Sequence, residues 1–277
     1  MPVSDDAFLG GRLQILQPSK GYRAGGDAVM LAAAVSDRGG RPLRVLDVGA
    51  GVGAAGLCVA CRCPNAEVVL IEREPDLVTL ARENVRRNAL EARVTVLEAD
   101  IARVSTAELS AGGAGEGAFD QVIANPPYYA EGAGTAAATA LKAAAHAMPE
   151  AGLEVWCRFF ARMARPGGEV LVVHKAAALP DLLKGLARRF GGLVAVPLHS
   201  FAGETAGRVL LRGIKGSRAP FRLEAGLVLH EAENRFTAGA ERVLRLGQSL
   251  ATAYGLAAPE NSYRIPAADR RASERIS

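Results

Sequence analysis

The stretch Phe119-Asp120-Gln121-Val122-Ile123-Ala124-Asn125-Pro126-Pro127-Tyr128 constrains the chain more than any other. It reads as an apolar strand that stops on an amide followed by two prolines. A residue before proline is pushed out of the helical region, and proline fixes its own φ and donates no backbone N–H. The strand therefore ends in a rigid turn rich in acceptors: the Asn125 side-chain oxygen and the Asn125 and Pro126 carbonyls. With the Tyr128 ring beside them, these acceptors suit a planar amino group, which has two N–H donors and a flat face to stack. Asn-Pro alone is a common turn initiator, so the weight lies in the whole tetrapeptide behind an apolar strand.

The chain upstream gives that strand its setting. Leu43–Val48 is a short apolar strand running into Gly49, Ala50, Gly51 and Gly53, then into a helix over 54–63. Val68–Glu72 is a second strand, Asp76–Leu90 has helical periodicity, and Val94–Leu97 is a third strand with Asp100 just beyond it. Residues 110–117 read as a glycine-rich loop. After the Asn125 strand, a helix over 159–165 is expected to end at Pro166-Gly167-Gly168, followed by strands at 169–174, 193–197 and 207–212, a helix at 180–190 and an edge strand at 227–230. Strands alternating with helices at this spacing predict a Rossmann-like α/β fold: a seven-stranded, mostly parallel mixed sheet with helices on both faces. Ligands then sit beyond the carboxyl ends of the strands, where Asp47, Glu72, Asp100 and Asn125 stand one per strand. Residues 1–250 are expected to form a single domain with an N-terminal strand and helix extension, and 251–277 a polar tail.

Composition limits the partners. The 277 residues carry a formal charge of +4, which permits a polyanionic partner without requiring one. No apolar run is long enough to span a membrane, and the N-terminus, with Asp5 and Asp6, lacks the basic and apolar regions of a signal peptide, so a cytoplasmic protein is expected. Cys58, Cys61 and Cys63 have a spacing that invites a metal. They lie in an apolar helix, however, where cysteine acts as a small buried hydrophobe, and no metal is expected. Asp27 is placed to cap a helix over 28–35, in a loop that also holds Lys20, Tyr22 and Arg23.

The glycine loop leaves two cofactors open. Gly51-Val52-Gly53-Ala54-Ala55-Gly56 spells the dinucleotide fingerprint, with Glu72 about twenty residues on. Asp47 at the strand tip argues against it, because a carboxylate repels a pyrophosphate and attracts an ammonium. S-adenosylmethionine carries an ammonium, a ribose diol and an adenine, which Asp47, Glu72 and Asp100 match in order.

Asn125-Pro126-Pro127-Tyr128 resembles the catalytic motif of S-adenosylmethionine-dependent amino-methyltransferases. The resemblance to class I methyltransferases implies cofactor contacts at Asp47, Gly49, Ala50, Gly51, Gly53, Glu72, Arg73, Asp100, Ile101 and Asn125. A longer similarity is to bacterial tRNA adenine-N6 methyltransferases of the valine-tRNA anticodon-loop type. It is carried by Gln17-Pro18, Gly21-Tyr22-Arg23, Asp27-Ala28, the Asn125 motif, Pro166-Gly167-Gly168 and weaker matches at Gly213, Lys215-Gly216 and Leu229-His230. It implies that Tyr22, Arg23 and Asp27 lie near the cofactor's methionine end, that Asn125 to Tyr128 are catalytic, and that the partner is tRNA, at a loop or single-stranded adenine. Tyr128 and Tyr129 are substrate candidates, and the basic stretch with Arg212, Lys215 and Arg218 is a candidate RNA contact through phosphate neutralisation. The segment after Tyr128 departs from the pattern, keeping only Lys142 and His146 as basic groups. Competing readings are a release-factor-type glutamine methyltransferase, which usually carries a longer N-terminal domain, a small-molecule methyltransferase, and a NAD-binding oxidoreductase or nucleotide-binding module.

Overall fold

The structure, a computed structural model, describes residues 2–21, 23–127 and 152–255. The chain opens with a hairpin, β1 (Val3–Phe8) against β2 (Leu13–Pro18), and then α1 (Gly26–Ala34). The alternating section follows: β3 (Leu43–Val48), α2 (Ala54–Arg62), β4 (Ala66–Glu72), α3 (Pro75–Arg87), β5 (Val94–Glu98), α4 (Thr106–Ala111) and β6 (Phe119–Ala124). Beyond residue 151 come α5 (Gly152–Met163), β7 (Ala164–Lys175), α6 (Leu179–Leu186), β8 (Phe190–His199), β9 (Arg208–Lys215), the two-residue strands β10 (Arg222–Leu223) and β11 (Leu227–Val228), α7 (Ala238–Leu244) and α8 (Leu250–Tyr254).

Seven long strands run in the order β8-β9-β7-β6-β3-β4-β5, and β10 and β11 extend the β8 edge to make nine. Pairing is parallel from β7 to β5, and β9 runs antiparallel between β7 and β8. Successive side chains on a strand face opposite sides, so each strand feeds two cores. Val45, Leu70, Ile123 and Leu171 join α1, α2, α3, α7 and α8 on one face. Leu46, Val69, Val122 and Val172 join α4, α5 and α6 on the other. This is the expected mixed, mostly parallel sheet with helices on both faces.

Four local expectations are corrected. Pro166-Gly167-Gly168 does not end a helix: α5 stops at Met163, and the triplet lies in a register break of β7, where Ala164 faces Phe119 but Glu169 already faces Gln121. The glycine-rich stretch at 110–117 begins inside α4, whose start is fixed by a capping box between Ser105 and Glu108. Asp27 is not a cap: Gly25 occupies that position, and Asp27 sits in the first turn of α1. The expected tail boundary after residue 250 falls within α8, whose Leu250 and Ala253 are buried in the core beside α1. Among the described residues, no helix is long and apolar enough to cross a membrane.

Candidate functional site

The chain continues from β3 to β4 and β5 on one side, while β6 lies on the other side of β3. At such a reversal the carboxyl ends of the strands part and leave a crevice. The crevice is lined by Gln17, Ala28, Asp47, Gly49, Gly51 and Asn125, with Ala50 among their neighbours. Sequence elements more than a hundred residues apart thus meet there: the N-terminal hairpin, the glycine loop, and the amide that ends β6.

The loop after β3 is shaped by close approach. Gly49 has φ +65°, and a β-carbon there would stand 2.5 Å from the Trp156 ring of α5. Gly56 is glycine for a different reason, since its α-carbon faces Leu70, and a β-carbon would come within 3.1 Å of Asp47 Oδ2. The last glycine of the apparent fingerprint therefore serves helix packing. Gly53, also with positive φ, is the N-cap of α2.

Two carboxylates hold this loop through backbone donors. The Gly56 N–H donates to Asp47 Oδ2 at 2.8 Å, and Asp47 is 2% exposed. Burial pushes the Asp47 carboxyl up to about 7, opposed by the Gly56 hydrogen bond and assisted by the negative charge of Glu72. Glu72 Oε2 accepts from the Gly51 N–H at 2.8 Å, and Oε1 accepts from the Arg73 and Glu74 N–H groups at 2.8 and 3.0 Å. Among the described residues neither carboxylate forms an ion pair. Arg73, expected at the site, pairs with Glu74 at 3.0 Å. Asp100 follows the end of β5, its Oδ1 accepting from the Ala102 N–H at 2.9 Å, while Ile101 packs on the core beside α5. Asp47, Glu72 and Asp100 thus step outward along three neighbouring strands.

This set of groups discriminates between ligands. The Gly51 N–H, which a pyrophosphate would need, is already donated to Glu72, and the two carboxylates beside the loop repel phosphate. They suit a ligand with an ammonium and hydroxyl groups, and so fit S-adenosylmethionine.

Three polar residues not singled out as site residues support the crevice. Asn84 on α3 is fully buried. Its Oδ1 accepts from the Leu16 N–H at 2.7 Å, and its Nδ2 donates to the Leu16 and Val52 carbonyls at 2.9 and 3.0 Å, tying β2 to the glycine loop. Gln17, 2% exposed, brackets Ala24, accepting its N–H at 2.8 Å and donating to its carbonyl at 3.3 Å. His174 near the end of β7 is 4% exposed and has the Pro127 carbonyl beside its ring. Burial first, then the charges of Arg208 and Lys175, hold its imidazole below the usual range. A helix reads as amphipathic whether or not one of its polar residues is buried, so Asn84 gave no sequence signal; a histidine directly after the apolar run Val170–Val173 did.

Asn125 is half-buried at the crevice and Pro126 is buried. Tyr22, Tyr128 and Tyr129 lie outside the described residues, as do Lys142 and His146. Arg23 pairs with Asp6 at 2.8 Å, and Asp27 with Arg208 at 2.9 Å. The basic stretch lies away from the crevice. Since β9 is antiparallel to β7, its last residues face the start of β7, at the end of the sheet opposite the crevice. There Arg212 pairs with Glu169 at 2.8 Å, Lys215 Nζ donates to the Ala161 and Ala164 carbonyls at 2.6 and 2.7 Å, and Arg218 sits in the exposed turn beyond. The cysteines are free thiols. Cys58 and Cys63 are buried and their thiols pushed up by burial, and no group of three or more ligand residues among those described could hold a metal.

Comparison with known proteins places this geometry. Residues 26–161 match the family described as Methyltransferase small domain. A tRNA1(Val) (adenine(37)-N6)-methyltransferase of Porphyromonas gingivalis is 32% identical over 126 residues, 45% of this chain and 48% of that protein, so the chain spans about half the length of this relative. Its counterpart in Aeromonas hydrophila is 29% identical over 219 residues, 78% of this chain and 85% of that one. A release factor glutamine methyltransferase of Escherichia coli is 33% identical over 91 residues, 33% of this chain and 29% of that protein. The crystal structure of a protein from Agrobacterium tumefaciens, described as a predicted O-methyltransferase, superposes with a TM-score of 0.65 at 32% identity, covering 84% of this chain and 98% of that one.

Proposed function

Because this chain belongs to the class I S-adenosylmethionine-dependent methyltransferases, we propose that it methylates an exocyclic amino nitrogen, and that the acceptor is N6 of an adenine in a tRNA loop. The observation that carries this reading is Asn125, an amide at the end of β6 that opens onto the same crevice as Asp47 and Gly49 to Gly51. The similarity to tRNA adenine-N6 methyltransferases, which in one relative runs along most of both chains, supports the choice of acceptor.

When bound, S-adenosylmethionine supplies a methyl group activated by its sulfonium. Asp47 holds the ammonium, Glu72 the ribose hydroxyls and Asp100 the adenine edge, in the order in which β3, β4 and β5 present them. Gly49 to Gly51 let the backbone approach closely. An adenine amino nitrogen is a weak nucleophile because its lone pair is delocalised into the ring. The Asn125 oxygen and the Pro126 carbonyl accept its two N–H donors and favour a pyramidal nitrogen with the lone pair freed. The same acceptors stabilise positive charge as it develops on that nitrogen. His174, whose charged form burial disfavours, lies beside the Pro127 carbonyl of this turn. Tyr128 stacks on the base, and a loop adenine spares the enzyme the cost of unstacking a helix.

The experiment is transfer of a radiolabelled methyl group from S-adenosylmethionine to total RNA and total protein from cells lacking this enzyme. Label in a nuclease-sensitive, tRNA-sized band that digests to N6-methyladenosine is expected. Label confined to protein would replace the adenine reading with glutamine methylation.

A further inference from the structure

The outer edge of the sheet is finished along only part of its length. β10 and β11 both pair with β8, β10 at Val194 and Ala195 and β11 at Leu198 and His199. On β11 the Leu229 N–H donates to the His199 carbonyl at 2.9 Å, so the backbone groups of Val228 point away from β8. They are covered. The Val228 carbonyl accepts from the Thr237 hydroxyl at the start of α7 at 2.9 Å and from the Tyr254 hydroxyl of α8 at 3.4 Å. On β10 the Glu224 N–H donates to the Ala195 carbonyl at 2.9 Å, which turns the Leu223 N–H and carbonyl outward in the same way. Among the described residues no strand pairs with that outer side. Leu223 is 64% exposed, and Phe221, two residues before it, 48%. An uncovered apolar edge is a template for pairing with another chain.

The charges beside Leu223 say which chain fits. Arg222 and Glu224 flank it on the opposite face of the strand and pair with each other at 3.4 Å. If a second copy of this strand is laid antiparallel along the first, paired side chains must face the same way, so the two-fold axis passes through a residue. An axis at Arg222 opposes two arginines, and one at Glu224 opposes two glutamates; like charges directly opposite are destabilising. An axis at Leu223 sets Arg222 of each copy against Glu224 of the other. It also centres the pairing on the residue whose N–H and carbonyl both point outward.

We propose that β10 is a self-pairing edge, through which two copies of this chain join antiparallel about Leu223 into one continuous sheet. The inference goes beyond the proposed reaction and does not rest on it. The two Leu223 residues exchange their backbone hydrogen bonds, and their side chains meet with the two Phe221 rings within diagonal reach. The contact is short, so the dimer is one that forms and parts with concentration. β10 lies four strands from β6, and the axis stands perpendicular to the sheet, so the two crevices open at opposite ends of the joined sheet, clear of the contact.

The test is sedimentation velocity on the full chain over a wide concentration range. Wild type is expected to pass from monomer to dimer. Arg222→Glu and Glu224→Arg, which set like charges opposite each other in every one of the three registers, are each expected to weaken the dimer about tenfold. Mixed in equal amounts, these two variants are expected to dimerise with one another, because each then meets its opposite charge; this recovery also shows that both are folded. Leu223→Pro removes the outward N–H and leaves those that serve β8, and is expected to abolish the dimer. Wild type that stays monomeric throughout would overturn the proposal and leave the edge to a different occupant. A dimer indifferent to the charge reversals, or a mixture that fails to recover it, would overturn it equally.

Discussion

The carboxylates at the two ends of this one sheet live in different electrostatic worlds. At the amino end of β6, Asp120 is met by two arginines, Arg38 at 2.8 Å and Arg165 at 2.7 Å, and also accepts the Arg44 N–H. Nearby, Glu169 and Arg212 pair with side chains only 9% and 15% exposed. At the carboxyl end, Asp47 and Glu72 are as deeply buried but are held by backbone N–H groups alone, with no cation among the described residues. A carboxylate neutralised by arginine is a structural clamp. A buried one held only by neutral donors retains a demand for positive charge, and the free energy of meeting that demand is available to a ligand. The same residue types therefore do opposite work, Asp120 and Glu169 as clamps and Asp47 and Glu72 as a demand left for a ligand.

Substitutions that should act at only one end can break this contrast. The largest effect is expected from Asn125→Ala, which removes an acceptor for the reacting amine. Methyl transfer should fall by roughly 10²–10³-fold while S-adenosylmethionine binds as before, measured by single-turnover kinetics beside calorimetry. Lost binding would mean that Asn125 holds the cofactor instead of the substrate. Asp120→Ala should do the reverse. It leaves Arg38 and Arg165 partly buried without their partner and should cost about 3 kcal/mol, or on the order of 10 °C in melting temperature, with cofactor affinity intact.

Glu72→Gln is a finer probe. One face of the new amide must present N–H to a backbone donor, so the cofactor dissociation constant should rise about tenfold, close to 1.4 kcal/mol. An unchanged titration would remove Glu72 from the pocket. Asp47 adds a pH signature. Its folded value, about 7, lies above that of a free carboxyl, so its contribution to stability is full below the unfolded value of 3.8 and is lost as pH rises through 7. Binding an ammonium requires the ionised form, so cofactor affinity should strengthen about fivefold from pH 6 to pH 7 and be flat in Asp47→Asn. Arg218→Ala closes the series: in an exposed turn at the arginine-paired end, it should change neither stability nor RNA binding by more than about 0.5 kcal/mol.

Much of the architecture was legible because it is written locally. Strand and helix periods, the glycines after Val48 and the prolines after Asn125 are properties of neighbouring residues, and they pointed to Asp47, Gly49, Ala50, Gly51 and Asn125, which meet at the crevice. Where the reading failed, distant pairing was responsible. β1 was missed because Asp5 and Asp6 look like a loop, although across the hairpin Asp5 faces Leu16 and reaches Arg87 on α3 at 2.6 Å. Asn84 looks like an ordinary surface residue of a helix until β2 is laid across it. Pro166-Gly167-Gly168 looks like a stop signal until β6 shows it to be a bulge.

The sequence by itself thus determined the α/β alternation and the identity of the groups at each strand end, because side-chain period and proline and glycine stereochemistry act over a few residues. Only the tertiary structure decided what those groups experience. The reversal of β9 sent Arg212, Lys215 and Arg218 to the far end of the sheet and set Arg208 at the crevice end, against Asp27. Packing of α2 on β4 buried Asp47 until its proton is held to about pH 7. Charge and desolvation depend on what lies across the sheet, and for Asp47, Arg208 and His174 that is chain tens to hundreds of residues away.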